Sequence, residues 1–159
     1  RRINQLIEKN IALFEELDFQ VYWQCGKLYY EEYKKYNSEK LKVRAFIQQM
    51  EQAYAAADFI ISRAGALSIA ELCIVAKPCI FIPSPNVAED HQTKNALALV
   101  NKDAALYVKD AEAQEKLLDT ALETVADDEL LKQLSVNIAK LALPDSARII
   151  AEEVLKLIK

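Results

Sequence analysis

Residues 58–92 read DFIISRAGALSIAELCIVAKPCIFIPSPNVAEDHQ. Two short apolar runs, 58–62 and 78–82, flank a segment with helical spacing at 67–76. A run that is apolar at nearly every position suits a parallel strand covered on both faces. Strand, helix, strand in that order is a βαβ unit. The alternation continues outward in both directions. Upstream, Ile3, Leu6, Ile7, Ile11, Phe14 and Leu17 follow helical spacing, and strands are expected at 19–23 and 41–45 with helices at 27–36 and 48–57. Downstream, a helix at 90–101 leads to a strand at 104–108, and the chain is helical from Glu112 on. Pro144 interrupts that helical tail, and Asp145 is placed to cap a last helix carrying Ile150, Val154 and Ile158. The expected fold is α/β, a doubly wound parallel sheet of five strands. A single domain spans 1–159, with the helices of 112–159 included.

The opening helix is unusual, because a doubly wound sheet normally starts with a strand. The chain begins Arg1-Arg2, and its one methionine is Met50. A preceding strand is therefore expected in a longer protein, lying centrally between the strands at 19–23 and 58–62.

Composition narrows the function. A chain of 159 residues with 52% hydrophobic and 28% charged residues is able to bury a core. A net charge of −4 argues against a nucleic-acid partner, which needs a basic face. The stretch 29–36 mixes tyrosines and lysines, but Glu31 and Glu32 make it a solvated amphipathic helix. No apolar run approaches the ~20 residues of a transmembrane helix. Cys25, Cys73 and Cys79 form no CxxC pair and read as reduced, buried thiols of a cytoplasmic protein. His91 is the only histidine, which excludes a His-rich metal site. Gly26 and Gly65 are the only glycines, so neither a GxGxxG loop nor a Walker A loop is present.

Ligands of doubly wound sheets bind beyond the carboxyl ends of the strands. After 58–62 come Arg63, Ala64, Gly65, Ala66, Leu67 and Ser68, then a helix with Glu71. Glycine lets a ligand approach the backbone, and the free N–H groups of a helix start favour phosphate. Glu71 is able to accept hydrogen bonds from two sugar hydroxyls. Ser68-Ile69-Ala70-Glu71 equally fits a capping box, which gives Glu71 a purely local role. Arg63 suits either a phosphate or an acidic neighbour. After 78–82, a loop stiffened by Pro83 and Pro85 delivers His91 and Gln92 to a helix start. His91 suits a general base or a hydrogen-bond donor, and Gln92, with both a donor and an acceptor, suits a sugar hydroxyl, while the plainer reading has Asp90 capping the helix and His91 merely exposed. After 41–45, Phe46 and Ile47 suit either a flat ring or the core.

Phe46-Ile47, the run ISRAGALSIAE at 61–71, Lys77-Pro78, Ile82-Pro83 and HQTKNA at 91–96 together resemble the MurG family of glycosyltransferases. The resemblance covers essentially the whole chain, as the carboxyl-terminal half of a GT-B enzyme built from two Rossmann-like domains. It implies an inverting enzyme of peptidoglycan synthesis that moves N-acetylglucosamine from UDP-N-acetylglucosamine to a lipid-linked muramyl-pentapeptide. Ile47, beside Phe46, would contact uracil through its backbone, and Glu71 would hold the ribose hydroxyls. Gly65, Ala66 and Leu67 would lie against the diphosphate and sugar, and His91 and Gln92 would bond sugar hydroxyls. Arg63 and Ser68 belong to the matching motif, Arg63 without a firm contact. The resemblance implies no cofactor and no required metal. It places the acceptor site, the general base and the contact with the cytoplasmic face of the inner membrane on an amino-terminal domain outside this sequence. The chain alone is then expected to transfer no sugar. A nucleotide-sugar-binding subunit of a two-chain transferase, or an epimerase-type relative, are the alternatives.

Overall fold

The computed structural model describes residues 1–17 and 19–158. Lys159, the end of the expected helical tail, lies outside the described residues. Five strands form, β1 (Val21–Gln24), β2 (Leu41–Arg44), β3 (Ile60–Ser62), β4 (Cys79–Phe81) and β5 (Leu106–Tyr107). The helices are α1 (Arg2–Lys9), α2 (Ile11–Glu16), α3 (Tyr30–Tyr33), α4 (Met50–Ala56), α5 (Ala66–Val75), α6 (His91–Val100), α7 (Ala113–Val125), α8 (Asp128–Ala139) and α9 (Ser146–Lys156). Each lies within the span expected from the spacing of apolar residues or overlaps its ends.

Every strand pairing is parallel. The strands do not form one sheet, however. Among the described residues β1 pairs with β2, and separately the order is β3-β4-β5. β1 and β3, between which the sequence reading puts a further strand, belong to different sheets.

The three-stranded sheet is covered on both faces, which explains its unbroken apolar runs. Cys79 and Phe81 of β4 face a cluster with Leu72, Cys73, Ala96, Leu99 and Ile138, from α5, α6 and α8. The alternate residues Ile80 and Ile82 face Leu6, Ala113 and Leu117, from α1 and the start of α7. This period-two division is the doubly wound arrangement at residue level. A third cluster joins Trp23, Cys25, Tyr33, Leu41 and Val43 under the smaller sheet. Ile7 of α1 packs against both the second and the third cluster. Asn4 of the same helix accepts a hydrogen bond from Trp23 Nε1 at 3.0 Å and donates to the Cys25 carbonyl at 2.8 Å. Through these contacts α1 bridges the two sheets.

Three local expectations are corrected. The first helix breaks at Asn10, whose side-chain amide donates to the Leu6 carbonyl at 2.8 Å and competes with the backbone ladder. Residues 27–36 form only one α-turn between two 3₁₀ turns. There, stacking of Tyr33 on Trp23, with centroids 4.7 Å apart, and Gly26 at φ 91° set the path. The last helix forms as α9, with no buried residue and with Ile150, Val154 and Ile158 exposed, but its expected cap does not. Asp145 sits at its N-cap position but makes no capping hydrogen bond.

Candidate functional site at the carboxyl ends of the strands

Parallel pairing brings the segments after β2, β3 and β4 to the carboxyl ends of their strands. After β3 the chain runs through buried Ala64 to Gly65, the N-cap of α5. No side chain caps this helix, so the N–H groups of Ala66, Leu67 and Ser68 have no intrahelical partner. Gly65 sits at φ −69°, a conformation open to any residue. A Cβ there would meet nothing nearer than Ser68 Oγ at 3.8 Å. Neither backbone strain nor internal packing demands glycine, which leaves open space in front of the helix start. Leu67 stands 82% exposed beside that space.

The capping box does not form. Ser68 and Glu71 lie inside α5, two and five residues past its first residue, because the helix starts at Ala66. Glu71 is exposed, and its Oε2 accepts a hydrogen bond of 2.9 Å from the hydroxyl of Tyr54 on α4. Partial burial, then that hydrogen bond and the carboxylate charge, push the Tyr54 phenol up to about 12. The two side chains border a groove of about 270 Å³ between α4 and α5, lined also by Met50, Ile74 and Val75.

Arg63 turns inward. Its guanidinium donates to the carbonyls of Ile82 and Pro83 at 3.0 and 3.1 Å and pairs with Asp110 at 2.6 Å. Arg2 Nε reaches the other oxygen of the buried Asp110 at 2.8 Å. Of the two partners expected for Arg63, the structure supplies the acidic neighbour. It ties the end of β3 to the end of β4.

After β4, Glu89 and Asp90 both adopt left-handed backbone at φ 52°. Asp90 accepts a hydrogen bond from the Thr93 hydroxyl at 2.6 Å, and its side chain makes no cap to the backbone of α6. His91 is exposed, with Nδ1 2.8 Å from the Ala88 carbonyl. A carbonyl only accepts, so Nδ1 carries the proton of this contact. Gln92 Oε1 accepts from the Ser84 amide at 2.9 Å, which holds the proline loop. Asn95 donates to the Ala64 carbonyl at 3.2 Å and so joins α6 to the loop after β3.

After β2 the apolar pair divides. Phe46 is 59% exposed, whereas Ile47 is buried and its N–H donates to Gln24 Oε1 at 2.8 Å. The Ile47 side chain therefore belongs to the core. Among the described residues no group of three or more His, Cys, Asp or Glu side chains gathers as a metal site would require. Among the described residues no helix is long and apolar enough to cross a membrane.

The sequence reading missed Tyr54, Asp110 and Gln24. Tyr54 lies in an alanine-rich helix with no polar signature. Asp110 follows the last strand, 47 residues from Arg63. Neither partnership has a local spacing that reveals it.

The chain has close relatives. It is 58% identical over 163 residues to the UDP-N-acetylglucosamine–N-acetylmuramyl-(pentapeptide) pyrophosphoryl-undecaprenol N-acetylglucosamine transferase of Bacteroides thetaiotaomicron, covering 99% of this chain and 44% of the relative. A transferase of the same name from Cytophaga hutchinsonii is 54% identical over 158 residues, covering 99% and 43%. The chain thus spans less than half the length of these curated relatives. Among solved structures, MurG from Acinetobacter baumannii superposes with a TM-score of 0.79 at 26% identity, covering 96% of this chain and 46% of that one. The model of the glycosyltransferase family 28 C-terminal domain matches residues 1–149. With a parallel, doubly wound fold and a match over nearly its whole length, the chain belongs to the glycosyltransferase family 28 C-terminal domain.

Proposed function

We propose that the chain binds UDP-N-acetylglucosamine and forms the donor half of an inverting transferase. In this reading the acceptor is a lipid-linked muramyl-pentapeptide, as in the names of its curated relatives. The observation that carries the reading is the open, uncapped start of α5 with an exposed carboxylate one turn further on. Glu71 holds the ribose hydroxyls, the α5 amides face the diphosphate, and His91 and Gln92 bond the sugar. Phe46 and the Ile47 backbone border the base. Arg63 supports the site from behind through Asp110, and Ser68 lies on the first turn of α5.

An acceptor hydroxyl attacks the anomeric carbon from the face opposite UDP. The new carbon–oxygen bond forms as the bond to the diphosphate breaks, and UDP leaves with the electron pair. Backbone N–H groups at the α5 start meet the charge that develops on the diphosphate. The acceptor proton passes to a base on the acceptor-binding half of the enzyme. Work at the cytoplasmic face of a bacterial inner membrane follows from such an acceptor.

The test is a titration of UDP-N-acetylglucosamine, with amide NMR shifts as the signal and a transfer assay in parallel. Saturable shifts centred on Gly65, Ala66, Leu67 and Glu71 are expected, with no sugar transferred by the 159-residue chain alone. Shifts confined to other surfaces would sink the reading.

A further inference from the structure

We propose that Tyr54 is the positioning residue for the ribose-binding carboxylate, its hydroxyl holding Glu71 in the orientation that accepts the ribose hydroxyls. The proposal rests on the reading of Glu71 as the ribose ligand.

Glu71 is exposed on α5, and a solvated glutamate samples many rotamers. Here it is not free to do so. The Tyr54 hydroxyl donates to Oε2 at 2.9 Å, and Oε1 has no protein partner among the described residues. A carboxylate offers about four lone-pair sites, so one phenol donor leaves capacity for two hydroxyls. The donor is itself fixed. The Tyr54 ring packs against the core cluster of Leu72, Cys73 and Phe81. Lys77 Nζ donates to the Ala55 carbonyl at 3.2 Å and ties the end of α4 to the turn after α5. Tyr54 is therefore placed by helix packing rather than by a loop.

The arrangement also links two parts of the site. Helix α4 starts at Met50, three residues past Ile47. The segment proposed to border the base thus leads straight into the helix that orients the ribose carboxylate. The high titration of the Tyr54 phenol keeps its proton in place across the physiological range.

The experiment compares UDP with 2′-deoxy-UDP, titrated by NMR into wild type, Tyr54→Phe, Glu71→Gln and the double variant. Thermal melts accompany each titration. Wild type should prefer UDP by about tenfold, the order of one hydrogen bond to a charged group. Tyr54→Phe keeps the ring and its packing, and should cut the preference to about threefold or less. Glu71→Gln should remove most of it, and Tyr54→Phe should add nothing in that background. A wild-type preference in Tyr54→Phe, with loss in Glu71→Gln, rejects the positioning role and leaves the ribose reading standing. Undiminished preference in both variants overturns the ribose reading and this proposal with it. Tighter UDP binding by Tyr54→Phe also overturns the proposal, because the tyrosine would then withhold the carboxylate. Where Tyr54→Phe melts below wild type, the preference is measured well below both melting points. A lost preference in the folded variant upholds positioning, and an undiminished one rejects it.

Discussion

At Gly65 the lack of a side chain serves the space outside the protein. Its φ of −69° is ordinary, and a Cβ would make only a van der Waals contact with Ser68 Oγ. Replacing glycine by alanine where the backbone already suits alanine commonly stabilises by about 0.4–1 kcal/mol, through the unfolded chain. Gly65 is also the N-cap of α5, where glycine is preferred over alanine, so the two effects oppose each other, and Gly65→Ala is expected to leave the urea midpoint nearly unchanged while weakening UDP-N-acetylglucosamine binding. Fluorescence of Trp23, the only tryptophan, follows unfolding, and NMR titration follows binding. A lower midpoint would mean that the glycine is structural after all. The residues around it divide in the same way. Arg63 spends its hydrogen bonds on carbonyls and Asp110 and so shapes the loops. Gln92 gives its Oε1 to the Ser84 amide and keeps its side-chain NH2, as Glu71 keeps Oε1 and His91 its Nε2, for solvent or ligand.

Among the elements, α1 has the largest consequence for its length. Its eight residues contribute Leu6 to one core cluster and Ile7 to two, and Asn4 satisfies two buried groups beneath the other sheet. Asn4→Leu would leave the Trp23 indole N–H and the Cys25 carbonyl unpaired. Each such buried group costs about 1–3 kcal/mol. The variant should lower the urea midpoint and shift Trp23 emission, whereas Gln5→Ala on the exposed side of α1 should do neither. Equal effects of the two substitutions would show that α1 does not hold the sheets together. Helix α9 is the contrast, since it carries no buried residue. Its sequence pattern specifies an apolar face, but no described residue covers that face.

Across the whole molecule, the three cysteines share one fate, although Cys25 sits in one core cluster and Cys73 and Cys79 in another. All are buried and unpaired as thiols. Burial, and secondarily the neighbouring Cys73, push the Cys79 thiol up to about 12 from an ordinary 9.0. Burial raises Cys73 and Cys25 as well. In the unfolded chain these thiols ionise near their ordinary value, so the unfolded state loses protons first as pH rises. Their stabilising contribution is complete below pH ~8, and declines as pH climbs from ~8.5 toward the folded values. The urea midpoint should fall between pH 8 and pH 9.5, below the range where tyrosines ionise, and the fall should be shallower in Cys79→Ala. A pH-independent midpoint in that window would place the cysteines in contact with water.

The sequence alone determined the order of elements, because apolar period and helix spacing are local properties written into consecutive residues. The runs 58–62 and 78–82 required strands covered on both faces, and the structure supplies α5, α6 and α8 on one side of the larger sheet and α1 and α7 on the other. The strand–turn–helix arrangement at Gly65 and Glu71 was legible for the same reason. Where helix α5 starts was not: the Ser68–Glu71 spacing imitates a capping box, but the backbone turns helical at Ala66, two residues earlier. Tertiary structure decided the rest. It divided the strands into two sheets, since each edge pairs only with a strand the fold brings beside it. It turned Arg63 toward Asp110 and set Tyr54 against Glu71, because partners 47 and 17 residues apart meet only when, respectively, the strands pair and the helices pack.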